Sequence, residues 1–377
     1  MNDKNTVYAR YGIAILSGGE GRRMGYRKKE ELIWEGQTFA ERILKELYPL
    51  GFPIFWSVRQ SADWHPHGTR AVADLETGEG KTGVGPVGGL LSCLKASGLE
   101  GLFVLPCDMP RVRRAMVEKL LEQVRPEDDA LIWQTRDGRL QTLCGFYRKS
   151  CIPMLERQIS ERNYRLKDFI SRISARVLTT SQMHLPELWF SNINSREDYE
   201  RLTAKAQPPV LAVSGSKNTG KTTLLECLVR GLSERGIRTA VIKHDGHEFV
   251  PDVPGTDTFR LREAGAEGTL IYSDSQYMLV KQKTGSMASD FISFFPEADI
   301  ILLEGQKNSD YPKIEVLRQE ISRSMVCRQS TVLMCVTDGG WIPDNLTVEL
   351  PVCDFNDYDM ILETAVSLID SRSEKMQ

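Results

Sequence analysis

The stretch Gly215-Ser-Lys-Asn-Thr-Gly-Lys-Thr-Thr223 constrains this chain more tightly than any other. It matches Gly-x-x-x-x-Gly-Lys-Thr and lies between an apolar run, Val210-Leu-Ala-Val213, and a helical pattern over Thr222 to Arg235. A strand, a glycine turn and a helix in that order place backbone amides around an anion at a helix N-terminus. The spacing predicts a P-loop in an α/β domain. Gly215 opens the turn, the amides of Ser216, Lys217, Asn218, Thr219 and Gly220 cradle phosphates, and Lys221 reaches the β and γ groups. The Thr222 hydroxyl ligates Mg²⁺, and Thr223 completes the motif. A P-loop also wants a carboxylate at the end of a neighbouring apolar strand. Glu304, after Ile300-Ile-Leu-Leu303, supplies it, whereas Asp299 at the other end of that strand points away. Nothing in the sequence positions an attacking water, so slow hydrolysis is expected. Lys243-His-Asp-Gly-His247 follows another strand and should lie near the phosphates; its two histidines suit a loop pair better than a zinc site, since no cysteine joins them.

A second glycine loop stands near the N-terminus. Tyr11-Gly-Ile-Ala-Ile-Leu16 reads as a short buried strand, and Thr38 to Leu47 as a helix with Phe39, Ile43, Leu44 and Leu47 on one stripe. Between them, Gly18, Gly19, Gly21 and Gly25 let amides approach an anion, while Arg22, Arg23, Arg27, Lys28 and Lys29 bring positive charge. Glycines and cations coinciding after a strand point to a triphosphate or pyrophosphate. A glycine turn after a strand is common in α/β proteins, so this loop alone names no substrate.

The α/β rhythm holds along the whole chain, with strands at Pro53 to Val58, Leu102 to Leu105, Ala130 to Trp133, Leu140 to Tyr147, Trp189 to Asn194, Thr239 to Ile242 and Thr331 to Val336. The expected fold is a Rossmann-like nucleotidyltransferase domain followed by a P-loop α/β domain, built on parallel sheets. Glycine-rich Gly78 to Gly89 reads as a loop before a helix over Leu90 to Ala96. Pro208-Pro209 after a polar helix end marks the linker, giving domains at 1–205 and 206–377. Asp108, just past the apolar strand Leu102 to Leu105, sits where ligands gather in open α/β sheets and can hold Mg²⁺, or else it caps a turn. Asp74 can accept the N1 and N2 protons of guanine, or be a turn residue. Asn192 and Asn194, either side of Ile193, can contact metal or substrate.

Composition narrows the partners. A formal net charge of −3 over 377 residues supplies no global field for nucleic acid or anionic membrane. Eight cysteines without a Cys-x-x-Cys pair read as reduced, mostly buried thiols. The polar start Met1-Asn-Asp-Lys-Asn lacks the apolar core of a secretory signal, and no apolar run nears the ~20 residues that span a bilayer. The reading is a soluble cytoplasmic protein whose homo-oligomeric state stays open.

Residues Leu16-Ser-Gly-Gly-Glu-Gly-Arg-Arg-Met-Gly25 with Lys29, Gly85-Pro-Val-Gly-Gly89, Pro106-Cys-Asp-Met-Pro110 and Asn192-Ile-Asn-Ser195 resemble the molybdenum cofactor guanylyltransferase family over about 10–203. From Val210 the chain resembles the molybdopterin-guanine dinucleotide biosynthesis adaptor family, a GTP-binding P-loop family. Gly215 to Thr223, Ile242-Lys-His244, Pro254-Gly-Thr-Asp257, Leu261-Arg-Glu-Ala-Gly265 and Leu303-Glu-Gly305 carry that likeness.

The resemblance implies transfer of GMP from GTP to the phosphate of molybdopterin or its molybdenum-loaded form, releasing pyrophosphate. It implies Lys29, Asp108 and Arg23 in catalysis, and Leu16, Ser17, Gly18, Gly19, Lys29, Asp74 and Asp108 around GTP. Asn192 and Asn194 fall on the molybdopterin side, and Mg²⁺ falls on Asp108 in the first half and on Thr222 and Glu304 in the second. The implied partners are molybdenum-insertion proteins and apo-molybdoenzymes. CTP in place of GTP, or a non-catalytic adaptor that delivers finished cofactor, are the alternatives. Lys28 stands where the family usually carries Asp, and Ser17 where Ala is usual.

Overall fold

The computed structural model describes residues 10–17, 28–60, 63–75, 84–204, 207–244, 250–282 and 285–374. Contacts divide the chain into two compact units. One comprises Met1–Ala206 with Glu234–Gly236 and Val366–Gln377, the other Gln207–Ser233 and Ile237–Ala365.

The first unit carries strands β1 (Tyr11–Leu16), the short β2 (Ile33–Trp34) and β3 (Gln37–Thr38), β4 (Ile54–Val58), β5 (Arg70–Ala73), β6 (Gly101–Pro106), β7 (Ala130–Gln134), β8 (Leu140–Arg148) and β9 (Ala175–Thr179). Its seven-stranded sheet runs β5-β4-β1-β6-β8-β7-β9. All six residues of β1 and of β6 are buried, as expected where helices cover both faces of a parallel sheet. The sheet is not purely parallel: β8 runs against both β6 and β7. A tight turn at Thr135–Arg139, with Gly138 at φ +81°, joins β7 to β8, and strands joined that closely must be antiparallel.

Gly145 of β8 has no room for a side chain. A Cβ there would lie 2.6 Å from the Leu131 carbonyl oxygen and 2.9 Å from Ile132 Cδ1. The carbonyl belongs to the neighbouring strand and cannot retreat. Gly145→Ala is expected to cost about 1–3 kcal/mol, read as a lower denaturant midpoint.

The helix Phe39–Leu47 starts at a capping box in which Thr38 and Glu41 satisfy each other's amides, and it buries Phe39, Ile43, Leu44 and Leu47. Such a cap contributes about 1 kcal/mol. The helix expected at Leu90 begins earlier, at Pro86, and runs to Ser97. Gly88 and Gly89 lie in its first turn, where a Cβ at Gly88 would stand 2.9 Å from Val84 Cβ and one at Gly89 3.0 Å from Ser57 Oγ and 3.2 Å from Asp74 Oδ1. The glycines there serve a close approach rather than a loop. The strand expected over Trp189 to Asn194 is absent. Glu187–Phe190 forms a 3₁₀ turn after Pro186, and Trp189 and Phe190 are both buried, Phe190 edge-on to Trp133 at 5.6 Å. Among the described residues the segment pairs with no strand of the sheet, and its aromatics pack from the 3₁₀ turn instead.

The second unit carries β10 (Val210–Ser214), β11 (Thr239–Lys243), β12 (Gly268–Tyr272), β13 (Tyr277–Lys281), β14 (Ile300–Glu304), β15 (Lys313–Val316), β16 (Val332–Thr337) and β17 (Val352–Asp354). Its six-stranded sheet, β11-β14-β10-β15-β16-β17, is parallel throughout. The pair β12–β13 stands apart as a two-stranded antiparallel sheet that leaves Leu270, Ile271, Tyr272, Tyr277 and Leu279 exposed. All eight cysteines are free, and all but half-buried Cys227 are buried. Among the described residues, no helix is long and apolar enough to cross a membrane.

Candidate functional site

The carboxyl ends of β1, β4, β5 and β6 open on a cavity of about 170 Å³, lined by Leu16, Ser17, Lys29, Glu30, Ser57, Asp74, Cys107 and Asp108 among others. Parallel α/β sheets present their ligand crevice at this edge. Asp108 sits two residues past β6, whose exit is tied to β1 by the Cys107 amide donating to the Leu16 carbonyl at 3.1 Å. The Lys29 ammonium donates to Asp108 Oδ2 at 2.8 Å and to Asn194 Oδ1 at 2.7 Å. The Ile193 amide donates to the Asp108 carbonyl at 2.9 Å, which brings the Asn192–Asn194 segment to the β6 loop. Asp198, in a capping box with Ser195, accepts the amides of Asn194 and Ser195 and fixes that segment from the other side.

Asp74 is half-buried and accepts the Ser57 hydroxyl at 2.5 Å. Burial pushes its carboxyl up, and the Ser57 hydroxyl opposes part of that rise. Glu30 is buried 3.9 Å from the Cys107 thiol, and burial pushes its carboxyl up as well. Ser17 donates to the Ser57 carbonyl at 2.5 Å. Asn192 is exposed.

The adjacent lysines face different ways. Lys28 is half exposed and, among the described residues, pairs with Glu31 at 3.9 Å, while Lys29 is 17% exposed inside the site. Gly18, Gly19, Gly21, Arg22, Arg23, Gly25 and Arg27 lie outside the described residues, as do 76–83 of the second glycine-rich stretch. Glu30, Ser57 and Cys107 escaped the sequence reading. Only Ser57 left a signal, as the one polar residue in the buried run Ile54-Phe-Trp-Ser-Val58.

In the second unit the loop between β10 and the helix Lys221–Glu234 turns through Gly215 at φ +141°, Asn218 at φ +65° and Gly220 at φ +97°. A Cβ at Gly215 would collide with the Val316 carbonyl of β15. Thr219 Oγ1 donates to the Ser216 carbonyl at 3.1 Å and Lys221 Nζ to the same oxygen at 2.6 Å, while Lys217, Asn218, Thr222 and Thr223 are exposed. Burial lowers the Lys221 pKa, and the Glu304 carboxylate opposes that shift. Thr222 Oγ1 donates to Glu304 Oε1 at 3.0 Å, and Lys243 Nζ lies 3.4 Å from Glu304 Oε2. Asp299 is engaged at the opposite end of β14 by the Arg238 amide and guanidinium. Arg318, which the sequence did not single out, donates to the Thr219 carbonyl at 3.1 Å. His247 lies outside the described residues, and among those described no group of three or more His, Cys, Asp or Glu forms a metal cluster.

Both sites have oxygens suited to a hard divalent cation. Asp108 Oδ1 is buried with no hydrogen-bond partner among the described residues. The 3.0 Å between Thr222 Oγ1 and Glu304 Oε1 matches adjacent corners of an octahedron with metal–oxygen bonds of about 2.1 Å.

Comparison with known proteins gives each half its own kin. The family described as MobA-like NTP transferase domain matches residues 13–177, and the family described as molybdopterin guanine dinucleotide synthesis protein B matches residues 210–338. A probable molybdenum cofactor guanylyltransferase of Clostridium perfringens is 30% identical over 52% of this chain and 96% of its own. The molybdopterin-guanine dinucleotide biosynthesis adapter protein of Haemophilus influenzae is 33% identical over 35% of this chain and 76% of its own. Its counterpart from Escherichia coli is 31% identical over 46% of this chain and 99% of its own. The chain thus belongs to two families in succession, the MobA-like NTP transferases through its first half and the molybdopterin guanine dinucleotide synthesis protein B family through its second.

Proposed function

We propose that the first half transfers GMP from GTP to the terminal phosphate of molybdopterin, with or without molybdenum, and that the second half is a GTP-binding adaptor with slow hydrolysis. The observation that carries this reading is the convergence of Lys29, Asp108 and Asn194 at the mouth of a cavity whose wall holds the half-buried carboxyl of Asp74. An oxygen of the molybdopterin phosphate attacks the GTP α-phosphorus, a new P–O bond forms, and the bond to the β-phosphate breaks to release pyrophosphate. The acceptor is already an anion, so the protein's tasks are positioning and charge neutralisation.

Lys29 and Arg23 hold the phosphates, the backbone from Leu16 to Gly19 cradles them, and Asp74 accepts N1–H and N2–H of guanine. Asn194, with Asn192, faces the acceptor phosphate. Asp108 would hold Mg²⁺ through its unpartnered Oδ1. When bound, the ion neutralises charge on the triphosphate. In the second half Gly215 to Thr223 cradle GTP, and Thr222 and Glu304 would hold its Mg²⁺. The product is a cofactor for other enzymes, which makes apo-molybdoenzymes and molybdenum-insertion proteins its natural partners.

The test is molybdopterin-dependent pyrophosphate release from GTP, with Asp74→Asn as the probe of base reading. That variant is expected to lower kcat/KM for GTP about 100-fold, since two hydrogen bonds to a charged acceptor are lost. The wild-type rate should fall on acidification at a pH above the ordinary carboxylate range, because the raised Asp74 pKa makes the group neutral early. Asp74→Asn should remove that limb. An unchanged kcat/KM in the variant would overturn the base assignment.

A further inference from the structure

Three side chains with three different tasks in the proposed reaction meet at one ammonium, that of Lys29. Lys29 Nζ lies 2.8 Å from Asp108 Oδ2 and 2.7 Å from Asn194 Oδ1, and the Lys29 and Asp108 side chains are only 17% and 16% exposed. The other cavity carboxyls have their own neighbours. Glu30 faces Cys107, and Asp74 faces Ser57. Lys29 and Asp108 therefore form a closely paired, neutral couple in a shielded place.

A divalent ion on Asp108 needs metal–oxygen distances of about 2.0–2.1 Å. An ammonium already 2.8 Å from the same carboxylate would then face two positive charges at short range, where shielding from water strengthens the repulsion. A triphosphate changes the balance, because its oxygens offer the ammonium a better anion and supply further oxygens to the metal.

We propose that Lys29 is the resident counter-ion of Asp108, so that a divalent metal enters this site only together with a nucleoside triphosphate, whose phosphates draw Lys29 off the carboxylate. Asn194 is a positioning residue that holds Lys29 in the waiting arrangement. The proposal rests on Asp108 being the metal ligand of the transferase half. It gives Asn194 a task before the acceptor arrives, and it orders the reaction: the empty protein stays free of metal here, and nucleotide and metal load as one.

Mn²⁺ serves as the probe, followed by electron paramagnetic resonance on the full chain carrying Lys221→Ala, which keeps the P-loop from taking nucleotide. In that background α,β-methylene-GTP, which cannot be cleaved at the reacting bond, should tighten Mn²⁺ binding. Lys29→Met should tighten Mn²⁺ about tenfold or more without nucleotide, since one favourable charge pairing no longer competes. Adding Asp108→Asn to Lys29→Met should erase that gain. Asn194→Ala, at the exposed rim, should raise nucleotide-free Mn²⁺ affinity in the same direction by a smaller factor.

Unchanged Mn²⁺ affinity in both Lys29→Met and Asn194→Ala would overturn the proposal, as would a gain that survives Asp108→Asn. Failure of the underlying assignment looks different. In that case Asp108→Asn alone would leave Mn²⁺ binding in the presence of α,β-methylene-GTP unchanged.

Discussion

Asp108→Asn is expected to lower molybdopterin-dependent pyrophosphate release about 1,000-fold or more while leaving GTP binding at Gly215 to Thr223 intact. The substitution keeps the shape of the side chain and removes its charge. It takes from Lys29 the anion that now sits 2.8 Å away, and from the site the one buried carboxylate oxygen without a partner among the described residues. The neighbouring backbone supports are independent of the carboxylate. The Cys107 amide still bonds Leu16, and the Asp108 carbonyl still accepts the Ile193 amide. A large loss of rate with a preserved melting temperature is therefore the anticipated pair of results. A rate within tenfold of wild type would remove Asp108 from the chemistry.

Lys221→Ala should act on the other half. GTP affinity of the P-loop is expected to fall about 100-fold or more, measured by equilibrium dialysis, because a charge-assisted contact to the phosphates disappears. The Lys221 ammonium donates to the Ser216 carbonyl at 2.6 Å, within its own loop. It can turn from that carbonyl onto a phosphate without leaving the turn. Transfer by the first half should persist in this variant. Loss of transfer would mean that nucleotide at the second site is required for chemistry at the first.

Much of the frame was legible from residues because local pattern and burial agree there. The apolar run Tyr11 to Leu16 has no polar residue to pull it to the surface, and Gly215 to Thr223 needs only its own turn and the next helix to form. Elsewhere the outcome depends on residues outside the segment itself. Leu140 to Tyr147 reads as a strand, but its direction depends on the five-residue turn before it, at Thr135–Arg139. Trp189 to Asn194 has strand-like composition, yet it finds no sheet neighbour and packs its aromatics in a 3₁₀ turn.

The site follows the same division. Asp74 could be a turn residue or a base-reading group on sequence grounds, and its place in the cavity wall depends on a residue seventeen positions earlier, Ser57, whose hydroxyl it accepts. Lys28 and Lys29 are equivalent in composition. Their directions are set by Glu31 on one side and by Asp108 and Asn194 on the other, partners up to 165 positions distant. Glu30 gave no sign of being buried, since a charged residue after two lysines ordinarily faces water.

Joining GMP to molybdopterin is the activity proposed for this chain. The most direct test is pyrophosphate release by the full chain with Mg²⁺ and molybdopterin, comparing GTP with CTP. Release from GTP should depend on molybdopterin, with CTP turned over at least about 100-fold more slowly. No release from GTP in the Mg²⁺-replete assay, or release from CTP at an equal or higher rate, would contradict it.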